Sequence, residues 1–301
     1  MALNRGWSYR AQVGTTPPLQ TVLAHLAARY PHSTMSTWAA RIAAGEVELS
    51  GRPAGAGDLL QAGDVVVWHR PPWQEPEVPR GFDVLHEDDD VVAVSKPSGL
   101  PTMPAGGFLE HTLLHVVRER FGDVRPLHRL GRFTSGVVLF ARTPRAASAL
   151  ALAWRTHAVQ KDYRALVDGV PFWDRLEVRE PIGPVPHPRL GTVHAARAEG
   201  RASLSQLAVV ERRAGAALLE VGITTGRPHQ IRIHCACAGH PLQGDPLYVA
   251  GGQPRPDDPG LPGDGGYLLH AWRVRCAHPS GVGDLHLEAP VPPGLRRAAE
   301  D

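Results

Sequence analysis

Residues 70–80, RPPWQEPEVPR, place four prolines within eleven positions. Proline fixes φ and has no amide proton to give to a helix or a central strand. The stretch therefore predicts a stiff, extended connector that divides the 301-residue chain in two. We expect a small domain over residues 1–70, a linker over 71–80 and a larger domain over 81–301. A chain of this length supports two cores, the second of them substantial.

The small domain reads as α/β. Leu19, Val22, Leu23, Leu26 and Ala27 recur at helical spacing, Pro31 ends that helix, and Ser33 or Ser36 stands where a second would be capped. EVELSG alternates Val47 and Leu49 with Glu46 and Glu48, and a Gly-Asp turn feeds LLQAGDVVVWHR; both predict strands. In the large domain FDVLHEDDDVVAVSK predicts two strands across an acidic turn. Residues 111–120 suit a helix, SGVVLFAR a buried strand, AASALALAWRTHA a helix, KDYRALVDG and AALLEVGIT strands, RPHQIRIHCACAG a helix and YLLHAWRVRCAHP a strand. Helices and strands do not alternate strictly, so the expected class is α+β (mixed α/β) rather than a doubly wound parallel sheet. Residues 244–266 are rich in Gly and Pro and predict a mobile surface loop.

The formal net charge is only +2, but its carriers are uneven: every basic residue is arginine except Lys96 and Lys161. Compositional bias accounts for most of this, yet arginine also suits bidentate phosphate contacts and stacking on bases. No apolar run reaches the roughly 18 residues that span a bilayer, and MALNRGWSYR has no signal-peptide core. A cytoplasmic protein without membrane attachment is expected. Three cysteines, Cys235, Cys237 and Cys276, do not make a disulfide framework. His229, His234, Cys235, Cys237 and His240 invite a zinc reading, but C-x-C on a helix sets the sulfurs about 160° apart. The paired spacing of structural zinc sites is missing, so neither metal nor cofactor is expected.

Four stretches concentrate the chemistry: VVAVSKPSGLPTMP (91–104), PLHRLGRFTSGVVLFAR (126–142), KDYRALVDG (161–169) and TTGRPHQIRIHCACAGHPLQGDPLY (224–248). In the last, Pro228 suits the first turn of a helix, whose free amides would hold a phosphate. His229 and Arg232, three apart, would flank an anion, with Ile231 and Cys235 pointing to the core. In this order and at these separations the four stretches resemble the RluA-like family of RNA pseudouridine synthases, over about residues 82–292. The small domain resembles the alpha-L RNA-binding module, through its helix pair, its I-x-x-G-x-V-x-L-S-G hairpin and L-x-A-G-D-V-V.

The resemblance implies a pseudouridine synthase fold with a central, mostly antiparallel sheet. It implies a monomer that grips structured RNA and isomerises uridine to pseudouridine in ribosomal or transfer RNA, with no cofactor. Tyr163 would stack on the flipped base, Arg232 would partner a catalytic aspartate, and Arg129 would insert where the uridine leaves its helix. RNA contacts would come from Lys96, His128, Arg132, Thr134, Arg227, His229 and Gln230, and from Arg41 in the small module. Lys96 and His128 are also read as loop anchors.

The aspartate itself is absent: the nucleophile position in HRLGRFTSG is Gly131. Glycine has no group with which to form a covalent bond. The nucleophile could come from elsewhere, with Asp123, Asp162 and Asp245 as candidates. The chain could instead be a non-catalytic RNA-binding paralogue, or an altered sequence. If the site is inactive, its arginines would lack their anion and the pocket would be positive.

Overall fold

The computed structural model describes residues 3–14, 20–30 and 32–300. Leu19 and Pro31, used above to place the first helix, lie outside the described residues. The chain divides into two compact units, Met1–Glu75 and Pro76–Asp301.

The first unit has four antiparallel strands, β1 (Trp7–Gln12), β2 (Val47–Leu49), β3 (Arg52–Pro53) and β4 (Val65–Arg70), in the order β1-β4-β2-β3. Helices α1 (Val22–Arg29) and α2 (Met35–Ala43) bury Val22, Leu26, Trp38 and Ile42 together with Val47, Leu49 and Val66 of the strands. The cap of α2 is Thr34, whose hydroxyl accepts from the Thr37 amide, so neither Ser33 nor Ser36 serves. Arg41 lies over the indoles of Trp38 and Trp68, 4.6 and 4.3 Å from the ring centroids, and donates to the Ser33 hydroxyl. These contacts hold the Arg41 guanidinium against the unit's own indoles.

The second unit is built on one large sheet. Its strands begin with β5 (Asp83–Glu87), β6 (Val91–Lys96), β7 (Arg125–Pro126), β8 (Ser135–Ala141), β9 (Gln160–Asp168) and β10 (Arg175–Val178). A hairpin of β11 (Ile182–His187) and β12 (Gly191–Ala196) stands apart before β13 (Ser205–Arg213) and β14 (Ala216–Ile223). A second small hairpin, β15 (Tyr248–Val249) and β16 (Gln253–Pro254), precedes β17 (Leu269–Ala277) and β18 (Asp284–Glu288). The path through the sheet is β10-β13-β14-β9-β17-β8-β6-β5, with β18 beside β17 and β7 beside β8. Among the described residues of this sheet, only β17 and β8 run parallel; every other pair is antiparallel. This is the mixed α+β architecture with a mostly antiparallel sheet.

Both faces of that sheet are covered, which is why β6 and β8 read VVAV and VVLF without polar alternation. Val92, Val94, Val138 and Phe140 join Leu113 and Val117 of α3 (Leu113–Phe121). Val91, Ala93, Val137 and Leu139 join Leu150 of α4 (Pro144–Arg155) on the other face. Ile231 and Cys235 of α5 (Gln230–Cys237) pack into the first of these cores.

Two expectations change here. Helix α5 opens at Gln230 rather than at Pro228, because His229 adopts a left-handed φ of 57° that no helix continues through. Residues 244–266 are not simply a mobile surface loop: Asp245, Leu247 and Tyr248 are buried, and Tyr248–Val249 pairs with Gln253–Pro254.

Candidate active site

The junction of β8, β17 and β9 sets the site. Gly136 lies opposite Ala271, and Ala271 opposite Tyr163, so three strands share one level. At Gly136 (φ +111°) a Cβ would come within 2.7 Å of the Ala271 backbone, and any side chain would part the two strands. Ser135 Oγ and His270 Nδ1, 2.9 Å apart, tie the same junction. The loop ahead of β8 is thereby fixed two strands away from Tyr163.

Two adjoining cavities lie here. A cleft of about 560 Å³ is lined by His128, Arg129, Arg155, Lys161, Tyr163 and Arg227, among others. A smaller pocket of about 150 Å³ shares Arg129, Tyr163 and Arg227 and adds Gly131, Thr134, His229, Gln230, Arg232 and Tyr267. Among the described residues, no carboxylate lines either one. Arg129 is exposed and makes no hydrogen bond or ion pair among the described residues. Arg227 spends only its Nε, which donates to the Ala202 carbonyl.

Other predicted RNA contacts are turned inward to hold the loop. Lys96 is 1% exposed, and its Nζ donates to the carbonyls of Pro97, Leu100 and Arg132 at 2.8, 2.7 and 2.9 Å. Three acceptors saturate an ammonium, while burial and the nearby Arg132 charge lower its pKa to about 7. Arg132 Nε donates to the Gly99 carbonyl, with its guanidinium over Phe108 and Phe133. The Leu139 amide donates to His128 Nε2, and the His128 ring stacks on Trp154 at 5.2 Å. Burial, then the Lys161 charge, lowers its pKa to about 4 and keeps it neutral. Lys96, Arg132 and His128 thus all hold the loop, as two of them were expected to, and His128 also lines the cleft. Thr134 is buried in the turn, its amide donating to the Gly131 carbonyl.

Helix α5 forms the opposite wall. Its residues Gln230 to Ala236 are all buried, so each polar member needs partners inside the protein. Gln230 accepts from the Arg227 amide and the Thr225 hydroxyl and donates to the Leu204 carbonyl, so it braces the start of α5. Arg232 binds Asp245 bidentately, with both contacts at 2.7 Å, and gives its remaining arm to the Pro262 carbonyl. It is not waiting for an aspartate at position 131. The expected anion between His229 and Arg232 is likewise replaced by Asp245 on Arg232 alone. Tyr248 donates its proton to the His194 carbonyl, so the 2.7 Å contact with His229 requires His229 to donate from Nδ1. Burial and the Arg232 charge lower the His229 pKa to about 3, leaving a neutral ring.

None of the three candidate carboxylates replaces the missing one in the pocket. Asp123 pairs with Arg118 at the surface. Asp162 adjoins Tyr163 on β9 and so faces the other side of the sheet. Both Asp245 oxygens are occupied, Oδ1 accepting also from the Leu247 and Tyr248 amides. The five residues weighed as zinc ligands do not converge: His234 bonds Ser205 and the Glu180 carbonyl, and His240 bonds the Asp168 carbonyl. Among the described residues, only His86, Asp88 and His278 bring ligand atoms within 4.8 Å, away from the pocket.

Sequence reasoning missed Tyr267, Trp154, Arg155 and the Ile223 wall as lining residues. WRTHA at the end of α4 carries a visible aromatic-basic signal. Tyr267 carries none, since only the fold brings it to position 131.

Residues 90–237 match the family described as RNA pseudouridylate synthase. An uncharacterized RNA pseudouridine synthase of Synechocystis sp. is 40% identical over 89% of this chain and 92% of its own length. RNA pseudouridine synthase 5 of Arabidopsis thaliana is 35% identical over 99% and 96% of the two chains. Ribosomal large subunit pseudouridine synthase D of Neisseria meningitidis is 32% identical over 93% and 79%. The solved structure of human RNA pseudouridylate synthase domain containing 1 aligns with a TM-score of 0.56 and 25% identity, over 74% of this chain and 89% of that one. Fold and sequence together define the class as RNA pseudouridine synthase. Within it, this chain belongs to the RluA-like family.

Proposed function

We propose that the protein isomerises uridine to pseudouridine in structured RNA of the cytoplasm, with ribosomal RNA as the substrate class. One observation carries the reading: a cleft lined by Arg129, Arg155, Lys161 and Arg227 and by the buried Tyr163, with no carboxylate among its described lining residues. Such a lining suits a polyanion, and Tyr163 suits a base turned out of its helix. Extruding that base costs a few kcal/mol, which stacking at about 1–3 kcal/mol per base and phosphate contacts offset. Arg129, unpaired at the rim, enters the space the uridine vacates. The first unit supplies a second grip on the RNA, in keeping with its alpha-L-like helix pair. No metal or cofactor is called for.

Gly131 favours a second reading, a non-catalytic RNA-binding paralogue that uses the same cleft. The two are separated by mapping pseudouridines in ribosomal RNA from a strain lacking the protein. Turnover predicts at least one site lost in that strain and restored when the purified protein is incubated with the unmodified RNA. An unchanged pseudouridine map, with the protein still binding that RNA, supports the binder.

A further inference from the structure

A Cβ built at Gly131 would meet two atoms at 3.4 Å, the hydroxyl oxygens of Tyr267 and Thr134, and nothing nearer. Tyr267 stands just ahead of β17 and lines the smaller pocket. Its hydroxyl makes no hydrogen bond among the described residues, and it is absent from the buried polar atoms left without partners. An unbonded oxygen that is not sealed off is open to whatever enters the pocket. The Arg232 guanidinium lies 4.3 Å from the Tyr267 ring centroid, fixed there by Asp245. A cation over the ring face holds the ring, and with it the hydroxyl, in place beside Gly131.

The other hydroxyls of the site are less suited. Burial pushes the Tyr163 phenol up to about 12, and its face is needed for the base. Tyr248 is committed to the His194 carbonyl and to His229. Thr134 offers an alkyl alcohol, a far weaker acid than a phenol, whose ordinary pKa is about 10.

We propose that Tyr267 supplies the nucleophilic oxygen that position 131 lacks. The proposal rests on the turnover reading above. Tyr267 Oη bonds to C1′ of the flipped uridine as the C1′–N1 bond breaks, and the phenol proton passes to N1 of the departing uracil. The uracil turns, and C5 attacks C1′ as the C1′–Oη bond breaks. The proton leaving C5 returns to the phenolate, so tyrosine and protons are regenerated without a co-reactant. Sialidases likewise attack a sugar with a tyrosine.

The test measures tritium release from RNA carrying C5-tritiated uridine. Tyr267→Phe should lower kcat roughly 100-fold or more with KM unchanged. Adding Gly131→Asp to that variant should restore about tenfold or more, because a carboxylate then reaches the same space. Fluorotyrosine placed at 267 keeps the packing while making the phenol more acidic, and should move the kcat profile to lower pH. Tyr267→Phe activity within about threefold of the unaltered protein, or an unmoved profile with fluorotyrosine, overturns the proposal. A loss that Gly131→Asp does not recover marks a structural role and overturns it as well. If the unaltered protein releases no tritium while Gly131→Asp alone does, the turnover reading itself has failed.

Discussion

Two arginines of one pocket behave oppositely. Arg232, on α5, is 3% exposed and has every arm engaged, two on Asp245 and one on the Pro262 carbonyl. Arg129, on the loop across from it, is exposed and holds nothing. The difference locates the charge balance of the site. Had Arg232 relied on position 131, Gly131 would leave a buried cation without a partner, at a cost of several kcal/mol. Asp245 removes that cost from behind the wall, so the pocket tolerates glycine. The positive character expected of an aspartate-less pocket therefore lies on its rim, at Arg129 and Arg227, and not at Arg232.

The strongest way to break this contrast is Asp245→Ala. It strands the buried guanidinium and frees the Leu247 and Tyr248 amides, so about 3–5 kcal/mol of stability should be lost. Chemical denaturation reads this directly, and a loss under about 1 kcal/mol would show that Arg232 is balanced elsewhere.

Acidification strains both walls at once. His229 and His128 are held neutral by burial, with pKa lowered from 6.5 to about 3 and about 4. Below pH 6.5 the unfolded chain binds protons that these folded rings refuse, so stability falls as pH drops towards 4. The slope is at most about 1.4 kcal/mol per pH unit for each ring. Urea midpoints at pH 7 and pH 5 should differ in that direction; equal midpoints would remove the two rings as neutral anchors.

The smallest expected effect on folding sharpens the other side. Arg129→Ala should leave stability within about 0.5 kcal/mol. It should still weaken RNA binding and reduce the salt dependence of log K by about 0.7–0.9. Fluorescence titrations at several salt concentrations give both numbers, and an unchanged slope would mean Arg129 meets no phosphate.

Much of this frame is readable before folding. VVAV and VVLF announce covered strands through their apolar runs, KDYRALVDG announces one through the alternation of Tyr163 and Ala165 with charged neighbours, and HRLGRFTSG marks the loop and its empty position. What escapes the sequence is which polar groups turn inward. Lys96 is one of two lysines in an arginine-rich chain and suggests phosphate, yet it closes on a carbonyl at Arg132, 36 positions away. Residues 244–266 look like free loop because Gly and Pro dominate, while Asp245 and Tyr248 do the anchoring through tertiary contacts. Pro228 suits a first helical turn, so the sequence points to an earlier start for α5 than the left-handed His229 allows. Tyr267 has no local signal at all, since its approach to Gly131 depends on the β8–β17 junction.

The central claim is that this pocket turns over uridine although position 131 is glycine. Tritium release from C5-labelled ribosomal RNA, taken from cells lacking the protein, tests it when the unaltered chain and Gly131→Asp are assayed side by side. The account predicts release by both; release by the Gly131→Asp variant alone would contradict it.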